Sequence, residues 1–274
     1  MPSATSTERV VRPAPSWRGF GLEELWRFRE LLLFFAWRNI LIRYKQTVVG
    51  IGWAVLQPLL LMVVMTLFFS SYAKQAGVPG LPFYLAGLVP WTFFANSVTQ
   101  SSASLVGNAN LLSKVYFPRL TAPIASVLAS LVDFAIAFLI LVVMLAAYGL
   151  SPRPIAVVVV PGLLLLALVT ALGIGFWLSA LNVSYRDVQY VVPFMIQIGL
   201  FASIFASNVR REPWHTILGL NPMAGVVEGF RWALVRSGHG LGPLVAVSCG
   251  VAVFLLVSGA AYFRNVERSF ADVV

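Results

Sequence analysis

Long uncharged, apolar stretches separated by brief polar punctuation run along most of this chain. Read from charge to charge, they extend from Gln46 to Ala73, Gln75 to Ser113, Phe134 to Pro152, Pro154 to Tyr185, Val188 to Val209 and Ser237 to Phe263. A bilayer core is crossed by roughly 20 mostly apolar helical residues, and each stretch is about long enough. The pattern predicts an all-α integral membrane protein with six transmembrane helices, at Val49–Ser71, Phe83–Val106, Leu120–Tyr148, Ile155–Leu181, Val188–Ser207 and Leu244–Phe263. Gly77, Pro79, Gly80 and Pro82 predict a turn between the first two, and Ser151, Pro152 and Pro154 another between the third and fourth.

Two segments outside the spans have their own character. From Leu22 to Ala36, Glu23, Glu24, Arg27 and Glu30 recur at helical spacing among Leu22, Leu25, Trp26 and Leu32. This predicts an amphipathic helix in the membrane interface, charged side toward water. Arg38, Arg43 and Lys45 follow it, and three cations within a lipid-exposed span would be costly. Residues 208–242 are too short for two spans and too apolar for a solvated loop, so they are expected to form short external re-entrant helices backed by protein. There Glu228 and Arg231, three apart, would lie side by side. Residues 1–21 have no apolar signal core and are expected to be a disordered cytoplasmic tail. Residues 22–274 then form one transmembrane domain.

Composition sharpens the class. The chain is 59% hydrophobic and 11% charged, with a mean hydropathy of +0.86, whereas soluble domains carry roughly a quarter charged residues. A soluble globular domain is excluded. With the N-terminus inside, 13 of the 19 cations fall on cytoplasmic segments and 6 outside (Lys74, Arg153, Arg210, Arg211, Arg231 and Arg236). The positive-inside rule thus predicts both termini in the cytoplasm. The net charge of +9 is accounted for by anionic membrane lipids rather than nucleic acid. Cys249 lies in the last apolar stretch and reads as a small apolar side chain.

Catalytic signatures are missing. None of Lys45, Lys74 and Lys114 sits in a phosphate-cradling loop. His215 and His239 lack neighbouring carboxylates at metal spacing, so no metal site is expected. Asp133 is the one acid inside a predicted span, a functional candidate by its depth, although Ser126, Ser130 and neighbouring helices could satisfy it. Phe83, Tyr84, Trp91, Phe93 and Phe94 cluster at the start of the second span. They suit either an interfacial aromatic belt or a surface on which sugar rings stack. In the loop from Gly107 to Arg119, the apolar Leu111, Leu112, Val115, Tyr116 and Phe117 accompany Lys114 and Arg119, so the loop rests on the membrane or docks on a partner.

Taken together, RYKQTVVGIGWAVLQP at 43–58, the Lys114–Arg119 loop, Ser184–Asp187, Asn221–Met223 and Tyr262–Arg264 resemble the membrane permeases of polysaccharide ABC exporters, which move O-antigen, capsule or teichoic-acid chains. The likeness runs in order from Leu22 to Phe270. It implies a non-enzymatic transport subunit in a bacterial inner membrane, working as a homodimer on lipid-linked polysaccharide. Two copies of a separate ATP-binding cassette subunit would carry the ATP and Mg, leaving this chain without a cofactor. It also implies that Arg43, Lys114, Tyr116, Phe117, Arg119, Arg186 and Asp187 couple to that ATPase. Phe83, Tyr84, Trp91, Phe93 and Phe94 would face the glycan path, with Trp214, Asn221, Glu228 and Arg231 in an external gate. Relatives often carry a proline near the outer end of the fifth span, where this chain reads Ala202–Ala206. A drug or lipid ABC permease shares the architecture. An ion-coupled secondary carrier would have only Asp133 to work with, and a membrane glycosyltransferase lacks a carboxylate cluster.

Overall fold

The computed structural model describes residues 26–45, 52–109, 118–205, 217–237 and 240–267, and every regular element in them is a helix. In chain order these are α1 (Arg29–Lys45), α2 (Gly52–Gln75), α3 (Gly80–Gly107), α4 (Thr121–Ala147), α5 (Ala156–Ser184), α6 (Val188–Ile204), α7 (Pro222–Leu234) and α8 (Pro243–Glu267). The tail at 1–21 and residues 22–25 lie outside the described residues.

Four helices are long and apolar enough to cross a membrane: Val55–Gln75 within α2, and all of α4, α5 and α8. α3 is 28 residues long, but Ser97, Thr99, Gln100, Ser101, Ser102 and Ser104 crowd its second half. α6 is apolar but only 17 residues long. α3 occupies the middle of the bundle, packed against α2, α4, α5, α6 and α7. Its segment Pro82–Phe94 is buried throughout. Ser97, Ser101, Ser102 and Ser104 are buried as well, covered by protein rather than lipid, while the exposed Thr99 donates to the Ala95 carbonyl of its own helix at 2.8 Å.

Where α5 meets α8 the two backbones touch. A Cβ on Gly259 would stand 2.3 Å from the Gly173 carbonyl oxygen, and one on Gly173 would stand 2.6 Å from the Leu255 carbonyl carbon. Small residues at such a seam let helices associate by close packing where no hydrophobic drive exists between them. Trp177 closes the seam, stacking on Tyr262 at 4.2 Å between centroids and donating to Ser258 Oγ at 3.2 Å.

α2 carries a kink at Phe69, whose backbone leaves the helical region (φ −121°, ψ 25°). The Tyr84 hydroxyl from α3 donates to the Phe69 carbonyl at 2.5 Å, so a side chain entering the backbone ladder accompanies the bend.

Arg27 and Glu30 are exposed, as expected of an amphipathic helix, but α1 runs on to Lys45 and exposes an apolar face as well. Leu33, Phe34, Trp37, Leu41 and Ile42 are exposed, while Phe35 and Ala36 pack on Ala125 of α4. The cations at 38 and 43 turn inward. Apolar residues on its outer face suit lipid, and the inner face finds partners for its charges, which removes the cost that sequence reasoning assigned to cations there.

Candidate functional site

Two polar knots hold the bundle together, one along α1 and one at the α7 end. The first begins with Asn39 Nδ2 donating to Ser126 Oγ of α4 at 3.5 Å. One turn on, the Arg43 guanidinium donates to both Asp133 of α4 and Gln100 of α3, and the Tyr44 hydroxyl donates to the other Asp133 oxygen. Arg38 donates to Asn108 just past the end of α3. The pairings show that α1 runs parallel to α4 and antiparallel to α3. Asp133 stands about 18 Å along α4 from Thr121 at 1.5 Å per residue.

Of the groups expected to satisfy Asp133, a neighbouring helix does so and the two serines do not. Ser126 and Ser130 do not serve it, because their hydroxyls donate to the carbonyls of Ala122 and Ser126 at 3.1 and 3.2 Å. Its partners come instead from α1. The signal was present in the sequence: one acid inside a span needs a cation, and Arg43 is the cation nearest to the first span's entry apart from Lys45. Tyr44 and Gln100 carried no such signal.

The second knot centres on Arg231, which is 1% exposed. Its Nη1 donates to the Ile204 carbonyl of α6 at 2.7 Å and its Nε to the Phe83 carbonyl of α3 at 3.3 Å. The guanidinium also lies 4.0 Å over the Phe83 ring, a contact strengthened by desolvation. Gly87 makes room for it, since a Cβ there would sit 3.0 Å from Nη2. Glu228, equally buried, adds a favourable charge nearby, in keeping with the three-residue spacing. Asn221 caps α7 by accepting from the Met223 amide at 3.1 Å, and its Nδ2 donates to Ser203 Oγ at 2.8 Å. Both ends of the short α7 are thereby tied to the end of α6.

The aromatic residues at 83–94 occupy the interior of the chain. Phe83, Tyr84, Trp91, Phe93 and Phe94 are each at most 7% exposed. Phe83 and Tyr84 meet edge-to-face at 5.2 Å, Trp91 lies 5.3 Å from Phe94, and Phe93 meets Phe134 at 5.7 Å. Gly199 of α6 receives the Trp91 ring, where a Cβ would stand 2.9 Å from it. None of the five faces open space within a single chain.

Of the remaining coupling candidates, Arg119 Nη1 donates to the Glu267 carbonyl at 2.7 Å, tying the start of α4 to the end of α8. Arg186 and Asp187 are exposed together in the turn between α5 and α6, flanked by exposed Tyr185 and Tyr190. Lys114, Tyr116, Phe117, Trp214, His215 and His239 lie outside the described residues. Among the described residues no group of His, Cys, Asp and Glu could hold a metal ion.

Comparison with known proteins places this architecture. A profile of the family described as ABC-2 type transporter matches residues 30–235, a stretch that opens in α1 and closes at the C-cap of α7. The chain is 30% identical over 261 residues to the O-antigen export system permease protein RfbA of Myxococcus xanthus, covering 92% of this chain and 98% of that one. It is 26% identical over 247 residues to a protein of the same name from Klebsiella pneumoniae, covering 89% and 95%. A second such protein from Klebsiella pneumoniae is 25% identical over 248 residues, again covering 89% and 95%.

Proposed function

The chain belongs to the ABC-2 type transporter family, and on that premise we propose that it is the membrane permease of an ATP-driven exporter of O-antigen-like, lipid-linked polysaccharide. The observation that carries this reading is the end-to-end likeness to proteins named O-antigen export permeases, which spans 98% of one of them. In this reading α2, α3, α4, α5, α6 and α8 are six spans, and both termini face the cytoplasm of a bacterial inner membrane. α1 is the interface element and α7 an external gate helix. ATP is hydrolysed by a separate subunit, present in two copies beside two copies of this chain.

The mechanism follows from what is tied to what. ATP-driven motion of the partner is received at the exposed Arg186–Asp187 turn, at the segment containing Lys114, Tyr116 and Phe117, and at α1. Through Arg43, α1 holds both α3 and α4, so displacement of α1 is felt by two spans at once. α3 carries the Phe83–Phe94 aromatics, and its outer end is fixed to α7 by Arg231. Shifting α3 against α6 would release the Arg231 knot, part the gate, and turn the aromatic face toward a path between two chains. The lipid anchor stays at the bilayer while the glycan passes outward.

The test is to delete this gene and that of the ATP-binding partner in the host, then restore each alone and both together, reading glycan at the cell surface. Surface glycan that vanishes and returns only with both proteins supports the reading. Unchanged surface glycan with altered drug sensitivity or lipid asymmetry would turn it toward a drug or lipid permease. Export by the chain without any ATP-binding partner would turn it toward an ion-coupled carrier.

A further inference from the structure

At the α7 end, beside the Arg231 knot, Arg153, Pro154, Ile155, Trp232 and Arg236 line a cavity of about 500 Å³. We propose that this cavity is a binding site for the phosphate of a phospholipid headgroup in the outer leaflet, an inference that rests on the membrane orientation given above.

The donors are held in place by backbone bonds and have capacity left over. Arg153 Nε donates to the Trp232 carbonyl at 3.0 Å and the guanidinium lies 4.7 Å over the Trp232 ring. The Arg153 amide donates to the Ala233 carbonyl at 2.9 Å. Among the described residues nothing accepts from its two terminal nitrogens. Arg236 donates through Nε and Nη2 to the Ser151 carbonyl and hydroxyl, at 2.9 and 3.1 Å, which leaves Nη1 without an acceptor among the described residues. Arg236 also holds a left-handed backbone conformation (φ 58°), where a non-glycine residue is uncommon. Among the described residues no carboxylate lines the cavity to neutralise these two cations. The start of α5 adds a third positive element, since its N-cap Ile155 offers no side-chain cap and the helix dipole there favours an anion.

The surroundings select a lipid. Ile155, Val157 and Val158 are 52%, 81% and 74% exposed, so the helix beside the two arginines presents bare aliphatic surface. In the membrane orientation above, such surface meets acyl chains. The cavity therefore sits at the boundary between hydrocarbon and headgroup, where a Trp such as Trp232 is at home. A phosphodiester there would accept from both guanidinium groups, while Ile155 and Pro154 would meet the glycerol and upper acyl carbons. The site would fasten the gate helix and the α4–α5 turn to the membrane surface.

The experiment uses the permease purified with its ATP-binding partner in mild detergent. Phosphatidylglycerol is titrated in, and bound lipids per chain are counted by native mass spectrometry. Digalactosyl diacylglycerol, which carries no phosphate, is the control. For the Arg153→Gln/Arg236→Gln variant, the expected result is a roughly thirty-fold weaker affinity at one phosphatidylglycerol site, at about a factor of five per cation, with the neutral lipid unaffected. Arg153→Lys/Arg236→Lys is expected to recover most of the binding, which separates lost charge from a disturbed fold. Equal phosphatidylglycerol affinity in wild type and glutamine variant would overturn the proposal. So would a lysine variant that binds no better than the glutamine one, or displacement of the lipid by millimolar inorganic phosphate, which would mark a free-anion site instead. Lipid retention is read without glycan export, so failure here leaves the exporter reading standing, and failure of that reading leaves the lipid count interpretable.

Discussion

Arg43 and Asp133 are 90 positions apart and meet on the inner side of α1, their side chains 23% and 10% exposed. Removing one member of a buried pair strands the other charge, at a cost of about 3–5 kcal/mol, whereas replacing both by neutral groups is far milder. Arg43→Gln and Asp133→Asn are each expected to lower the thermal stability of the purified chain markedly, and the double variant less than their sum. A double-mutant cycle in detergent checks this. Strict additivity would mean that the two side chains do not interact, and α1 would lose its proposed hold on α3 and α4. Arg231 makes a similar case in a different geometry. Lysine keeps the charge there but not the planar fork that reaches two carbonyls and lies on Phe83. Arg231→Lys is therefore expected to destabilise by about 2 kcal/mol, the cost of leaving a buried acceptor unmet, and to make the closed exporter leak small solutes from vesicles. A variant as stable and as tight as the parent would remove Arg231 from the gate.

Among the elements, the α5–α8 seam carries the sharpest expectation. Alanine at Gly259 has no room, because its Cβ would meet the Gly173 carbonyl oxygen at 2.3 Å, and two rigid backbones must separate to admit it. Gly259→Ala is expected to cost about 1–3 kcal/mol, as overpacking does, while Gly250→Ala on the same helix, where nothing lies within 4 Å, should be neutral. Thermal unfolding of the two variants side by side decides the matter. The seam also shows what the sequence could and could not convey. The spans α2, α4, α5 and α8 were legible because lipid demands unbroken apolar length, and that demand is local. Gly173 and Gly259 were not, since a close approach is a property of two helices together. α1 was half legible: its amphipathic pattern was plain, but which face met protein depended on Asp133 and Gln100, partners far away in sequence. The aromatics at 83–94 stood out for their density, and only the position of α3 in the middle of the bundle shows that a single chain covers all five.

At the scale of the whole molecule, the question is where force from a partner enters, and exposure separates the candidates. Arg119 is unsuitable as a probe, because its guanidinium ties α4 to the Glu267 carbonyl and its loss would disturb the fold and the interface together. The Arg186–Asp187 turn is the cleaner test. Both side chains are exposed, and Asp187 makes no side-chain cap to α6, so a change there leaves the bundle intact. Placing a like charge against a complementary partner surface weakens association and alters its salt dependence. Arg186→Glu is therefore expected to leave the melting temperature of the isolated chain unchanged. Its complex with the ATP-binding subunit should weaken by roughly ten-fold, as one reversed interfacial charge does, and glycan export should fall with it. Compensation is the stricter check: an acidic residue on the partner changed to lysine should restore both. If the complex forms at full strength and export persists, the turn is a solvated corner, and force must enter through α1 or the segment containing Lys114. The two routes differ in what they move. Entry at the turn drives α5 and α6 and so reaches Ile204 and the Arg231 knot directly, whereas entry through α1 acts first on Gln100 and Asp133 and reaches the same knot along α3.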